Sequence, residues 1–206
     1  MNYNFINFEF NDMDESKIRN IYENSTKKIK DGFRLRLADI KDLDKLCELE
    51  NKAFDKGIAE DRKTIEDRMK IFPFGFVVLE YKDKIIGSFS TEIWNYKENM
   101  DFEGVKLNHN MKDYHNINGN MMFISSFLID SDYRGLGLGK SFFNEARELI
   151  KNNFSNIEKE VLAVSLEWQN AINIYKSFGF EVEKTIENYF YNDKTNIYED
   201  IYVMIR

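Results

Sequence analysis

The chain of 206 residues carries 29 basic and 36 acidic side chains, a formal charge of −7, and 43% hydrophobic residues, enough for one globular domain with a substantial core. The acidic balance argues against a general nucleic-acid or membrane-surface binder and leaves room for a cationic partner. A single cysteine, Cys47, excludes an intramolecular disulfide, and no apolar run reaches the roughly 18 residues of a membrane span.

The opening residues, MNYNFINFEFNDMDES, have neither a basic leader nor a long apolar core, and this sets the expectation of a cytoplasmic protein. Residues 1–32 read as an N-terminal arm. It has an alternating segment (Phe5, Ile6, Phe8, Phe10), then a charged stretch in which Ile18, Ile21, Tyr22, Ser25 and Ile29 line one helical face capped by Asp12 or Asp14. From Phe33, FRLRLA reads as a strand and Asp39 to Phe54 as an amphipathic helix with Cys47 as a small apolar residue on its buried face. A further helix within DRKTIEDRMKIF stops near Pro73, the only proline. GFVVLEY and KIIGSFSTEIW, joined by the polar KDK, read as an antiparallel hairpin.

Residues 95–121 form a long polar insert with both histidines, His109 and His115, and connections of that length are usually functional covers or disordered. MMFISSFLID then reads as a buried central strand running into the turn YRGLGLGK. The turn opens a helix with Phe142, Phe143, Ala146, Leu149, Ile150 and Phe154 on one stripe. KEVLAVSLEW is another strand, NAINIYKSFGF a short helix ended by Gly179, and two more strands surround YNDKTN, so that 33–206 reads as one domain.

Gly135, Gly137 and Gly139 share one turn, bracketed by Arg134 and Lys140. A strand, a glycine turn and a helix together hold anions, because the free N–H groups of the helix start point outward and the dipole favours negative charge. The P-loop pattern G-x-x-x-x-G-K-[ST] is met only in its second half, Gly139-Lys140-Ser141, with Arg134 where the first glycine would stand. The dinucleotide pattern G-x-G-x-x-G fails in both registers, since Lys140 or Phe142 stands at the last place. R-x-x-G-x-G is met by Arg134, Gly137 and Gly139.

With that motif, and with AINIYKSFGF matching A-x-x-x-Y-x-x-x-G-F, the chain resembles the GNAT superfamily of acetyl-CoA-dependent N-acyltransferases over roughly residues 33 to 206. The resemblance implies an α/β fold with a mixed, mostly antiparallel central sheet of about six to seven strands flanked by helices, beside the N-terminal arm. It implies acetyl-CoA as cosubstrate, its pantetheine along the backbone of Phe127, Leu128 and Ile129. Its pyrophosphate would lie on Arg134, Gly135, Leu136, Gly137, Leu138, Gly139 and Lys140. No metal is expected, because no cluster of Cys, His and carboxylates has ligand spacing. Tyr175 is implied as the general acid to the coenzyme sulfur.

Two positions depart from the family pattern. A glutamate that some members carry on the fourth strand falls at Phe123, leaving Glu92, Asp130, His109 and His115 as candidates for the base. An asparagine seven residues before the tyrosine is Trp168, and Asn170 either replaces its contact to the coenzyme or caps the helix. The implied function is transfer of acetyl to the primary amine of a small molecule by direct attack, by a monomer or homodimer with no nucleic-acid or membrane partner. Acetylation of a protein or peptide amine, a non-catalytic acyl-CoA-binding module and a P-loop nucleotide hydrolase are the alternatives.

Overall fold

The computed structural model describes residues 15–30, 32–193 and 195–206, the side chains of Glu15 and Arg19 excepted. The alternating segment around Phe5 to Phe10 and the expected caps Asp12 and Asp14 lie outside the described residues. The elements are α1 (Glu15–Glu23), β1 (Lys27–Lys30), β2 (Phe33–Leu37), α2 (Leu43–Ala53), α3 (Arg62–Ile71), β3 (Phe76–Tyr81) and β4 (Lys84–Trp94). After the long connection come β5 (Met121–Ile129), α4 (Leu138–Asn153), β6 (Lys159–Ser165), α5 (Gln169–Ser177), β7 (Glu181–Asn192) and β8 (Ile197–Ile205). All eight strands join one sheet in the order β1-β2-β3-β4-β5-β6-β8-β7.

The sheet thus has one strand more than the six to seven expected. The extra strand is β1, in a stretch whose spacing had placed Ile29 on a helical face. The helix instead stops at Glu23, and the Ser25 hydroxyl donates to the Tyr22 carbonyl at 2.8 Å. A side chain bonding back to the last turn competes with helix continuation. Lys27 and Lys28 then pair with Leu35 and Arg34.

Alternation along the strands sorts the core into two sides. Met122 and Ile124 of β5 face a cluster built with Ile18 and Ile21 of α1, Phe142 and Phe143 of α4, and Ile172 and Tyr175 of α5. Met121 and Phe123 face the other side, where Trp94, Phe102, Val105 and Phe190 gather. There α2 and α3 pack Leu46, Ile65 and Met69 against Phe76 and Val78, with half-buried Cys47 beside them. The long connection therefore contributes core residues, and its Phe102 and Val105 are buried.

β5 and β6 are the parallel neighbours of the sheet, paired only from Met121 to Ile124 against Lys159 to Leu162. At Ser125 a bulge interrupts the β4 register, since Ser90 opposes Ser126 while Thr91 opposes Ile124. Bulges bend a strand and end pairing on one side. Beyond it β5 runs on to Ile129 bonded to β4, while β6 stays with β8 through Ser165. The sheet is split down its middle, and the residues of interest converge on that split.

Candidate active site

The last half of β5 leads into a short 3-10 turn (Ser131–Tyr133), then the glycine turn and α4. Gly137 holds the N-cap position of α4 at φ 74° with no side-chain cap, and Gly135 has φ 79°. The first amides of a helix lack intrahelical acceptors, so an uncapped start leaves them free for an anion. A Cβ built on Gly135 or Gly137 would meet no atom within 4 Å, so their positive φ, and not crowding inside the protein, calls for glycine there. Gly139 has a different reason: its Cβ would come within 3.1 Å of Ile174 Cδ1, and its absence lets α4 close on α5.

Exposed Arg134 donates from Nε to the Ile129 carbonyl at 3.0 Å, fixing the turn to the end of β5. Lys140 and Leu136 are exposed, whereas Leu138 is buried under the helix start. Phe127, Leu128 and Ile129 pair with Phe89, Ser88 and Gly87 of β4, and their other edge faces the split. Asn170 is exposed and does not cap α5; Trp168 occupies the N-cap position without a side-chain cap bond.

Tyr175 sits on the α4–α5 side of the split, its ring 5.0 Å from that of Phe143 and 6.5 Å from that of Phe127. Its hydroxyl forms no hydrogen bond with any described residue. Burial raises its pKa, so the oxygen keeps its proton.

On the opposite side of the sheet a recess opens against the same split, with about 580 Å³ of space including its mouth. Ser125 and Ser126 of β5 and Val164 and Ser165 of β6 form its floor, and Phe54, Trp168 and Phe190 an aromatic wall. Phe54 and Trp168 have ring centroids 5.3 Å apart, and Trp168 stacks on Phe190 at 6.1 Å. Lys106, Leu107 and His109 of the long connection close another side.

The base candidates read from sequence separate here. Glu92 is fully buried beneath the recess, accepting from Trp94 Nε1 at 2.8 Å and lying 2.9 Å from His109 Nε2. His109 Nε2 faces a carboxylate and so acts as a donor, while Nδ1 lies 3.2 Å from Arg68 Nη2 and 3.0 Å from the Lys106 carbonyl. Asp130 accepts from Lys52 and from the Asp132 amide at 3.0 Å, which makes it the cap of the 3-10 turn. His115 accepts the Ile93 amide at 3.3 Å and packs on Phe72, away from the recess. A fifth carboxylate, Glu50 of α2, lines the recess at 5% exposure and was not singled out by sequence. Its signal was position, because Glu50 follows Leu43 by seven and Leu46 by four and so falls on the buried helical face.

The model of the acetyltransferase (GNAT) family matches residues 43–180, well over half of the chain and including both motifs. The chain belongs to the GNAT family. Its sheet, with one parallel pair and the glycine turn late in the chain, is that of a GNAT acetyltransferase and not of a P-loop hydrolase. Among solved structures it is similar to the loading GNATL domain of CurA from Lyngbya majuscula, at 19% identity and TM-score 0.71, covering 84% of this chain and 96% of that one. The GphF GNAT-like decarboxylase in complex with isobutyryl-CoA matches at 18% and 0.71, covering 84% and 98%. The ribosomal-protein-S18-alanine N-acetyltransferase from Escherichia coli matches at 18% and 0.62, covering 84% and 92%. These three likenesses carry the fold. No curated protein matches the chain in sequence. Among the described residues no group of three or more His, Cys, Asp or Glu is placed to hold a metal ion, and no helix is long and apolar enough to cross a membrane.

Proposed function

We propose that this GNAT protein moves the acetyl group of acetyl-CoA to a primary amine of a small molecule by direct attack of the nitrogen, with Tyr175 serving the leaving sulfur. The observation that carries the reading is the split between β5 and β6, which joins an uncapped helix start, a free strand edge and a tyrosine hydroxyl with no hydrogen-bond partner among the described residues. The pyrophosphate would lie on the amides of the 134–140 turn with Arg134 and Lys140 beside it, and the pantetheine along Phe127 to Ile129. The thioester would then reach the bulge at Ser125, beside which the recess opens. Tyr175, protonated and without a hydrogen-bond partner among the described residues, donates to the sulfur as the C–S bond lengthens.

A small acceptor is favoured over a peptide because Lys106, Leu107 and His109 of the long connection wall the recess, where a peptide would need an open groove. The test is thiol release from acetyl-CoA across amino acids, polyamines, arylalkylamines, aminoglycosides and short peptides, with product masses 42 Da higher. Acetylation confined to small amines is the expected result. Preference for peptides would move the reading to a protein acetyltransferase, and coenzyme binding with no thiol release would leave an acyl-CoA-binding module.

A further inference from the structure

Glu50 and Glu60 line the recess and Glu92 lies buried beneath it, and among the described residues only Glu60 and Glu92 form an ion pair. Glu60 and Glu92 both lie against the Arg68 guanidinium, and Glu92 also has the His109 ring. Glu50, 5% exposed, forms no ion pair among the described residues. It accepts only the Glu60 amide at 3.2 Å and, at 3.5 Å, the hydroxyl of Ser126 beside the strand bulge. Buried carboxylates are as a rule paired, because an isolated one is costly out of water. Among the described residues no cation pairs with it directly, Arg68 being engaged by Glu60 and Glu92, and the carboxylate lines an open recess with aromatic walls.

We propose that the recess binds the acceptor as an ammonium ion whose counter-ion is Glu50, and that Glu50 then takes the proton that converts it to the attacking amine. This rests on the acetyltransferase reading above and adds the acceptor's class: a singly charged primary amine on a compact apolar or aromatic body. The Phe54, Trp168 and Phe190 rings suit that body, and their faces attract an ammonium as well. Lys106, which lines the recess and has no carboxylate partner among the described residues, disfavours a second positive charge.

The protons balance in two steps. Glu50 takes the first from the ammonium and returns it through the mouth to solvent. The free amine forms its N–C bond to the acetyl carbon, the C–S bond breaks with its electron pair on sulfur, and the second nitrogen proton replaces the one Tyr175 gives to the thiolate. The net products are an amide, free coenzyme thiol and one proton.

Glu50 shares the recess with Glu60 and Arg68 from the α3 region and with Lys106 and His109 from the long connection, and Glu92 of β4 lies against the same Arg68 guanidinium. Tyr189 of β7 lines the same recess, and Cys47 lies on its own helix. Burial first and the neighbouring Glu60 charge second push its carboxyl up to about 8, so in the free recess Glu50 becomes counter-ion and base as pH rises through that value, and an arriving ammonium draws its proton off at lower pH.

The experiment compares wild type with Glu50→Gln, using 2-phenylethylamine, its neutral isostere 2-phenylethanol, and spermidine as probes. Calorimetry on the coenzyme A complex reads binding independently of turnover. Wild type is expected to bind phenylethylamine at least tenfold tighter than the alcohol or spermidine, and Glu50→Gln to lose that preference while binding coenzyme A normally. Turnover should fall about 100- to 10,000-fold, and the rise of kcat/KM through pH 8 should disappear. The raised carboxyl also destabilises the fold as pH climbs from the ordinary carboxylate range to about 8. Glu50→Gln should therefore melt higher than wild type at pH 9 and alike at pH 4. An unchanged amine preference in Glu50→Gln, equal binding of the alcohol, or no amine binding by wild type overturns the proposal. Amine binding without thiol release would instead strike the acetyltransferase reading and spare the ammonium site.

Discussion

Arg68 Nε lies 3.1 Å from Glu92 Oε1, with the two side chains 2% and 0% exposed. The pair ties α3 to β4 beneath the recess, although the Nε–H is not aligned on any acceptor and counts as an ion contact only. The same guanidinium reaches Glu60 and the His109 ring, so one cation holds α3, the sheet and the long connection together.

Arg68→Met should accordingly unfold more easily by about 3–5 kcal/mol, because it strands two buried carboxylates. Denaturant titration reads this, and coenzyme binding on the distant glycine turn should hold. Glu92 adds a pH signature. Burial alone would raise its pKa, yet the His109 hydrogen bond and the Arg68 charge hold it below the usual carboxylate value. A depressed carboxyl contributes stability above its unfolded pKa and loses it as pH falls, so acid should weaken wild type more than an Arg68→Met/Glu92→Gln double variant.

His115 predicts a second acid sensitivity. Burial lowers its pKa to about 4, against a weaker opposing pull from Glu92. The neutral ring is the folded form, so its contribution is present above pH 6.5 and drains away as pH falls toward 4, for about 3 kcal/mol over the window. His115→Phe should lose the Ile93 amide's acceptor at every pH but shed this slope. Unfolding free energies measured at pH 7 and at pH 4.5 separate the two effects.

The strand–turn–helix and the tyrosine helix were legible because each depends on local chemistry: glycines at positive φ, an apolar strand, a 3.6-residue stripe. β1 was not, since KKIK becomes a strand only through pairing with β2. The recess was not either, since its walls come from α2, the long connection, β5, β6 and β7. One sequence clue was present and is general. Glu50, Arg68 and Arg147 all occupy apolar-stripe positions of their helices, and all three are buried. Arg147 is matched by Glu160 on β6, its Nη2 at 2.7 Å, which leaves Glu50 as the one of the three without an ion pair among the described residues.

The glycine turn gives a graded prediction. Gly137→Asn suits φ 74°, a conformation asparagine tolerates, and fills the open space with a side chain. Gly137→Val adds a strained backbone to the same obstruction. Both should weaken coenzyme binding by calorimetry, but only the valine variant should also lower the melting temperature, by the equivalent of about 1–2 kcal/mol. Arg134→Ala should weaken binding through loss of a charged contact worth about 1.5–3 kcal/mol. Normal affinity in all three would mean that the turn holds no pyrophosphate.

Tyr175→Phe separates chemistry from packing. The ring contacts with Phe127, Phe143 and Phe180 survive the substitution, and the hydroxyl leaves no protein partner behind, so stability should stay within about 0.5 kcal/mol of wild type. Coenzyme affinity should hold for the same reason. Turnover should fall about 100- to 10,000-fold, the range of a positioned general acid. Because burial keeps Tyr175 protonated well beyond neutral pH, its loss should lower the rate evenly between pH 6 and 9, leaving the alkaline rise assigned to Glu50 in place. A variant that turns over normally would pass the proton to another group. Tyr189, which lines the recess and is pushed by burial up to about 12, is the next tyrosine to substitute.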